Sequence, residues 1–226
     1  MTFIKKPELS AEARKARGAA ALQKAQATRG YLLPYHRMLC AHDPDLMEAY
    51  DAYYRELTLI ERSFTYFERE VVWLVLLAAA REAYGDIHMP RAEESGLTPA
   101  QIHDCMAIAG VAEAFPAMDF STSWSRWVSV AEVEARYAQM VDVARGDLPE
   151  IISEIALVTA HAARKCRAGM RFHLKRAFAL GASAAKVAEG VSYVILPCGG
   201  PVLVDACNVW DEAAREGLCP APWHVE

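Results

Sequence analysis

"CRAGMRFHLKRAFALGAS", Cys166 to Ser183, is the stretch whose reading decides the fold. Residues at i, i+3 or i+4, and i+7 share one face of an α-helix. Cys166, Gly169 and His173 therefore fall on a single stripe, which Ala177 and Leu180 continue. Glycine inside a helix costs about 1 kcal/mol relative to alanine. At 169 it makes room for a ligand, allows another backbone to come close, or marks a helix boundary. The stripe reads either as an active-site helix or as a core helix that carries a thiol and an imidazole.

The stretch has a partner elsewhere in the chain. "HLKRAFALGASAAKV", starting at His173, aligns without a gap with "HMPRAEESGLTPAQI", starting at His88. The alignment pairs His88 with His173, Arg91 with Arg176, Ala92 with Ala177, Gly96 with Gly181, Thr98 with Ser183 and Ile102 with Val187. An apolar segment precedes each copy and carries an acid near its start, Glu70 in the first and Glu154 in the second. Helices ended by glycine and restarted at a Thr or Ser cap resemble one another, but neither capping nor packing calls for the histidine.

Around these copies the apolar residues recur at three- and four-residue steps with almost no sustained alternation, which predicts an all-α fold. Helices are expected near 10–28, 43–60, 66–82, 86–95, 99–113, 130–145, 149–165, 167–180, 184–196 and 201–216. Several starts carry capping signals: Thr98 with Pro99 and Gln101, Thr65 with Glu68, and Asp147 with Glu150. "FPAMDFSTSWSRWVS", Phe115 to Ser129, reads as a connection between two halves.

Composition limits the function classes. With 226 residues, 54% of them hydrophobic and 23% charged, the chain can bury a sizeable core. A net charge of −5 argues against nucleic acid as the main partner. The longest apolar run, Val71 to Ala80, is too short to span a bilayer. The first thirty residues have no apolar core of a secretory signal, so a cytoplasmic protein is expected. The six cysteines, at 40, 105, 166, 198, 207 and 219, form no CxxC pair and fit reduced thiols.

Glu154, Cys166 and His173 can be weighed as chemistry. Two antiparallel helices joined by a short turn would bring the Glu154 carboxylate towards His173, and a carboxylate beside an imidazole makes a general base that works near neutral pH. Glu154 can equally serve its helix dipole while His173 is a satisfied core histidine, and the residues alone leave both readings open. Cys166 sits at a helix start beside Lys165 and Arg167, where thiolate is favoured. No HxxxH pair is present, and His161 lies seven residues after Glu154, about 10 Å along the axis and too far for two ligands from one helix. No metal is expected. GxGxxG, Walker and GxSxG motifs are absent.

Glu154, then Cys166 twelve residues on, then His173 seven further, followed by "KRAFALGAS", resembles the carboxymuconolactone decarboxylase and alkylhydroperoxidase D-like superfamily, whose signature reads Glu, a helix, then CxxCxxxHxxxAxxxG followed by Ser or Thr. The resemblance implies a helical bundle of two tandem repeats related by pseudo-symmetry. The expected divisions are an N-terminal helical extension at 1–30, a first repeat at 31–118, a connector at 119–147, and a second repeat with the tail at 148–226. The second repeat has Gly169 in place of the second motif cysteine, and the first has Arg81 and Tyr84 in place of both.

Departure from the two-thiol pattern turns the resemblance towards the decarboxylase-like members. They act without metal or organic cofactor on small carboxylated lactones from aromatic catabolism. The catalytic set so implied is His173, Glu154 and Cys166, with His88, Glu70 and Tyr84 as first-repeat counterparts. Arg171, Arg176 and Gly169 would meet a small carboxylic acid or lactone. A one-cysteine thiol peroxidase or redox protein using Cys166 is the alternative, and a non-catalytic oligomeric binding protein is the third. The resemblance also implies a homo-oligomer, a trimer or hexamer.

Overall fold

A computed structural model describes residues 7–225, and every regular element among them is a helix. Contacts divide the chain into two units, at 60/61. Residues 1–6 of the expected N-terminal extension lie outside the described residues.

The first unit contains α1 (Ala11–Arg29), α2 (Pro34–His42) and α3 (Pro44–Thr58), packed around Ala21, Ala25, Cys40 and Met47. These three helices bury their apolar faces on one another, so α1 forms a bundle with α2 and α3.

The second unit runs α4 (Tyr66–Ala80), a 3-10 turn (Ala83–His88), α5 (Met89–Glu94), α6 (Pro99–Ala112), α7 (Phe115–Ser121), α8 (Val130–Ala144), α9 (Glu150–Ala163), α10 (Arg167–Ala179), α11 (Ala184–Tyr193), α12 (Ile195–Cys198) and α13 (Gly200–Arg215). At its centre α4 lies along α9. Val71, Val72, Val75 and Leu76 of one helix and Ile155, Ala156, Leu157 and Val158 of the other are wholly buried. A helix this apolar on all sides belongs inside a protein, where other helices must cover it. Here α6 covers α4, while α10 and α11 cover α9.

The two repeats are visible in the backbone. Both central helices end in a left-handed residue that is not glycine, Arg81 (φ 57°) and Lys165 (φ 55°). Each end is closed by the same bond, Glu82 N–H to the Leu77 carbonyl and Cys166 N–H to the His161 carbonyl. Equivalent positions here are 84 apart (70/154, 77/161, 81/165), whereas the histidines are 85 apart. The second copy thus holds one extra residue, in the stretch where it forms the start of α10 and the first copy winds a tighter 3-10 turn.

Two expectations are corrected. Asp147 does not cap α9: Pro149 occupies the cap position without a side-chain bond. The stretch from Phe115 is not all connection, because Pro116 opens α7 within its first turn; likewise Pro34 opens α2, which was not expected. Proline is tolerated there because those N–H groups have no partner in the helix. Helix α8 forms where a helix was expected, near 130–145, packs on α6 and α7, and buries Val133, Tyr137 and Val141. The caps at Thr98 and Thr65 form as expected, with Gln101 and Glu68 closing the reciprocal bonds. No helix among the described residues is long and apolar enough to cross a membrane.

Candidate active site

Glu154 is the fifth residue of α9, with 1% of its surface exposed. A carboxylate so placed needs partners or it loses its charge. It has two: His173 Nδ1 lies 2.6 Å from Oε2, and Arg176 Nε donates to Oε1 at 2.7 Å. His173 and Arg176 are three apart on α10, so one face of that helix holds both oxygens. Burial opposes the charge, but the His173 and Arg176 bonds outweigh it and hold the Glu154 carboxyl below its ordinary range. Burial, with Arg176 nearby, outweighs Glu154 at His173 and lowers the imidazole below its usual value. The pair at neutral pH is carboxylate and neutral imidazole.

Two residues that sequence reasoning did not place here complete the cluster. The Tyr137 hydroxyl, from α8, lies 3.1 Å from His173 Nε2 and 3.1 Å from His161 Nε2. The two imidazoles stack with centroids 5.1 Å apart. Phe115 of α7 lies edge-on to Tyr137 and His161. His161 is 1% exposed, and its Nδ1 has no hydrogen-bond partner. Burial first, then the neighbouring His173, lowers this imidazole well below the usual value. Burial and Glu154 push the Tyr137 phenol up. The signal in the sequence was partial: His161 is two turns beyond Glu154 on the same face of α9, but nothing local marks Tyr137.

Gly169 is explained by His161. A Cβ at 169 would come within 3 Å of the His161 ring, so glycine permits close approach of α10 to α9 and the imidazole fills the room a side chain would take. Cys166 caps α10 and is half-buried. Its expected activation is not found: burial raises the thiol, the Gly169 N–H opposes this, and Asp119 and Glu113 add to the rise. The Arg167 guanidinium is taken up by Asp205 and Glu212 of α13.

A family model for carboxymuconolactone decarboxylases matches residues 44–126 and again 131–212. The chain belongs to the carboxymuconolactone decarboxylase family. Each match contains one Glu and His pair, so the family's tandem repeat and the backbone's agree. No curated protein and no solved structure matches the chain.

Within this family frame the first repeat keeps the pair but not its surroundings. His88 Nδ1 lies 2.8 Å from Glu70 Oε2, and Arg69 Nε holds Oε1 at 3.1 Å. Trp73 lies beside the His88 ring, with centroids 4.9 Å apart. Leu77 and Gly85 stand where the second decarboxylase-like repeat has His161 and Gly169, with the Gly85 Cα close against Leu77. Tyr84, expected as a counterpart, is 58% exposed on the 3-10 turn and does not join the pair.

The arginines also separate. Arg176 holds Glu154, whereas Arg171 pairs with Glu216 at the surface. Among the described residues no group of three or more His, Cys, Asp and Glu side chains is gathered as a metal ion requires. The arrangement of Glu154, His173, Tyr137 and His161 can accept, store and return a proton.

Proposed function

We propose that the second repeat performs cofactor-independent acid and base chemistry on a small carboxylated lactone or keto acid, of the decarboxylase or lyase type, in the breakdown of aromatic compounds. The observation that supports this best is the buried Glu154 carboxylate bonded to His173 at 2.6 Å and to Arg176 at 2.7 Å. A neutral imidazole held this way takes a proton from carbon next to a carbonyl. The C–H pair moves towards the carbonyl oxygen, and Glu154 stabilises the imidazolium that forms. In the return step the proton goes back to carbon, as it must after CO2 has left its electron pair there.

The test compares turnover of a carboxymuconolactone-type substrate by the native chain and by His173→Gln and Glu154→Gln, with circular dichroism confirming the fold. Both variants should lose about 10² to 10⁴ in kcat. Unchanged turnover in folded His173→Gln would overturn the reading.

The complete burial of Glu154 and His173 favours a second reading, an oligomeric binding protein in which the pair is an inert core element. The same measurement separates the two. A one-cysteine redox role has less support, since the Cys166 thiol is raised rather than lowered. As part of the same proposal the chain assembles as a homo-oligomer, a trimer or hexamer. Support comes from the exposed Phe120, Trp124, Trp127, Val130 and Val143, which a partner subunit could cover. Light scattering giving a monomer would contradict it.

A further inference from the structure

We propose that the groove between α1 and α2 binds an organic diacid, a ligand with two carboxylates held apart by an apolar body. The groove belongs to the first unit, and the proposal does not depend on the acid and base reading above.

One glycine makes the groove. Residues 30–33 join α1 to α2, a connection short enough that the two helices run antiparallel. At Gly18 they come so close that a Cβ would strike the Cys40 carbonyl. Beside this contact lies a cleft of about 350 Å³. Sites for small molecules commonly measure about 300–1,000 Å³. Gly18, Leu22 and Cys40 give it an apolar floor. Burial, with Asp51 adding to it, raises the Cys40 thiol, so the floor carries no charge at neutral pH.

Every charged side chain that lines the groove is a cation: Arg14 and Lys15 from α1, and Arg37 from α2. Glu12, the acid in the first turn of α1, stands outside it. This runs against the net charge of −5 for the chain. Elsewhere on α1 the cations have acidic partners: Arg17 pairs with Asp45 and Glu48, and Arg29 with Asp51, all on α3. Arg14, Lys15 and Arg37 meet no carboxylate among the described residues. Unpaired cations around an apolar floor suit an anion that also has carbon to bury.

The helix register sets how many charges the ligand carries. Lys15 and Arg14 precede Gly18 by three and four residues, and Arg37 precedes Cys40 by three. Gly18 faces Cys40 and the helices are antiparallel, so these steps lead in opposite directions. At about 1.5 Å per residue the α1 cations and Arg37 stand about 9–10 Å apart along the groove. The apolar floor lies between them. A monoacid meets one end and leaves the other unpaired, whereas a diacid of matching length pairs with both.

Isothermal titration calorimetry of the full chain at low salt tests this with octanedioate, whose carboxylates lie a similar distance apart when the chain is extended. Octanedioate should bind about three- to fivefold more tightly than octanoate, the gain expected of one exposed ion pair. Lys15→Gln and Arg37→Gln should each lower octanedioate affinity by about the same factor, with Arg37→Gln falling to the octanoate level. Lys24→Gln, on α1 but outside the groove, should bind like the native chain. Ala19→Phe fills the groove from an exposed helix position and should abolish binding, with circular dichroism confirming the fold. No binding of millimolar octanedioate by the native chain would overturn the proposal. So would equal affinity for octanoate, or a loss in Lys24→Gln as large as that in Arg37→Gln, which would mean diffuse attraction to a basic surface.

Discussion

Glu154 accepts two charge-assisted bonds inside an aliphatic helix, and loss of either leaves a buried oxygen unpaired. Arg176→Gln should therefore cost about 1–3 kcal/mol in urea unfolding, the usual penalty for breaking a bond to a buried charged group. Arg171→Gln, whose Glu216 partner is exposed, should cost under about 1 kcal/mol. Equal costs would mean that Arg176 does not hold the carboxylate. At Cys166, burial and the nearby Asp119 and Glu113 carboxylates predict a sluggish thiol. Alkylation at neutral pH should be no faster than that of free cysteine, and rapid reaction would restore the redox reading. At this scale Glu154 and His173 were legible because the chain repeats them. Tyr137 was not, because its hydroxyl arrives from a helix 24 residues upstream of His161 and its apolar neighbours read as ordinary core.

Among the elements, the central pair α4 and α9 was legible because an apolar run with no polar face can only be interior. The expected helices at 66–82 and 149–165 compare with Tyr66–Ala80 and Glu150–Ala163. Helices α2 and α7 were hidden by the prolines that open them, since proline alone does not say whether a helix stops or starts. What no local pattern could show is the fit between helices. Gly169 left room for a ligand, close backbone approach and a helix boundary all open; close approach is the outcome, and its reason lies across the interface in the His161 ring. Gly169→Ala would gain about 1 kcal/mol of helix propensity yet force the buried ring to move, at a typical cost of about 1–3 kcal/mol. A net loss in thermal stability is expected, and a more stable variant would show that the ring has space to yield.

For the molecule as a whole, burial of neutral imidazoles links stability to pH. His161 and His173 in one unit, and His36 in the other with its value lowered to about 4, bind protons less readily folded than unfolded. Each binds a proton in the unfolded chain near pH 6.5 while the folded form stays neutral. Their stabilisation is therefore present above that pH and is lost as the pH falls towards the folded values. The slope approaches about 1.4 kcal/mol per pH unit for each group. Urea midpoints should fall steadily from pH 7 to pH 5, and a flat profile would show that the imidazoles already carry charge when folded.

Two repeats with one Glu and His pair each, only the second bonded to a tyrosine hydroxyl, sharpen the proposal for the entire chain: the second repeat is the working half. The most direct measurement is deuterium uptake in D2O, followed by proton NMR, at the carbon next to the carbonyl of a small carboxylated lactone. The native chain and His88→Gln should exchange that hydrogen at comparable rates, while folded His173→Gln should be slower by about 10² or more. Equal exchange by the native chain and His173→Gln would contradict the account.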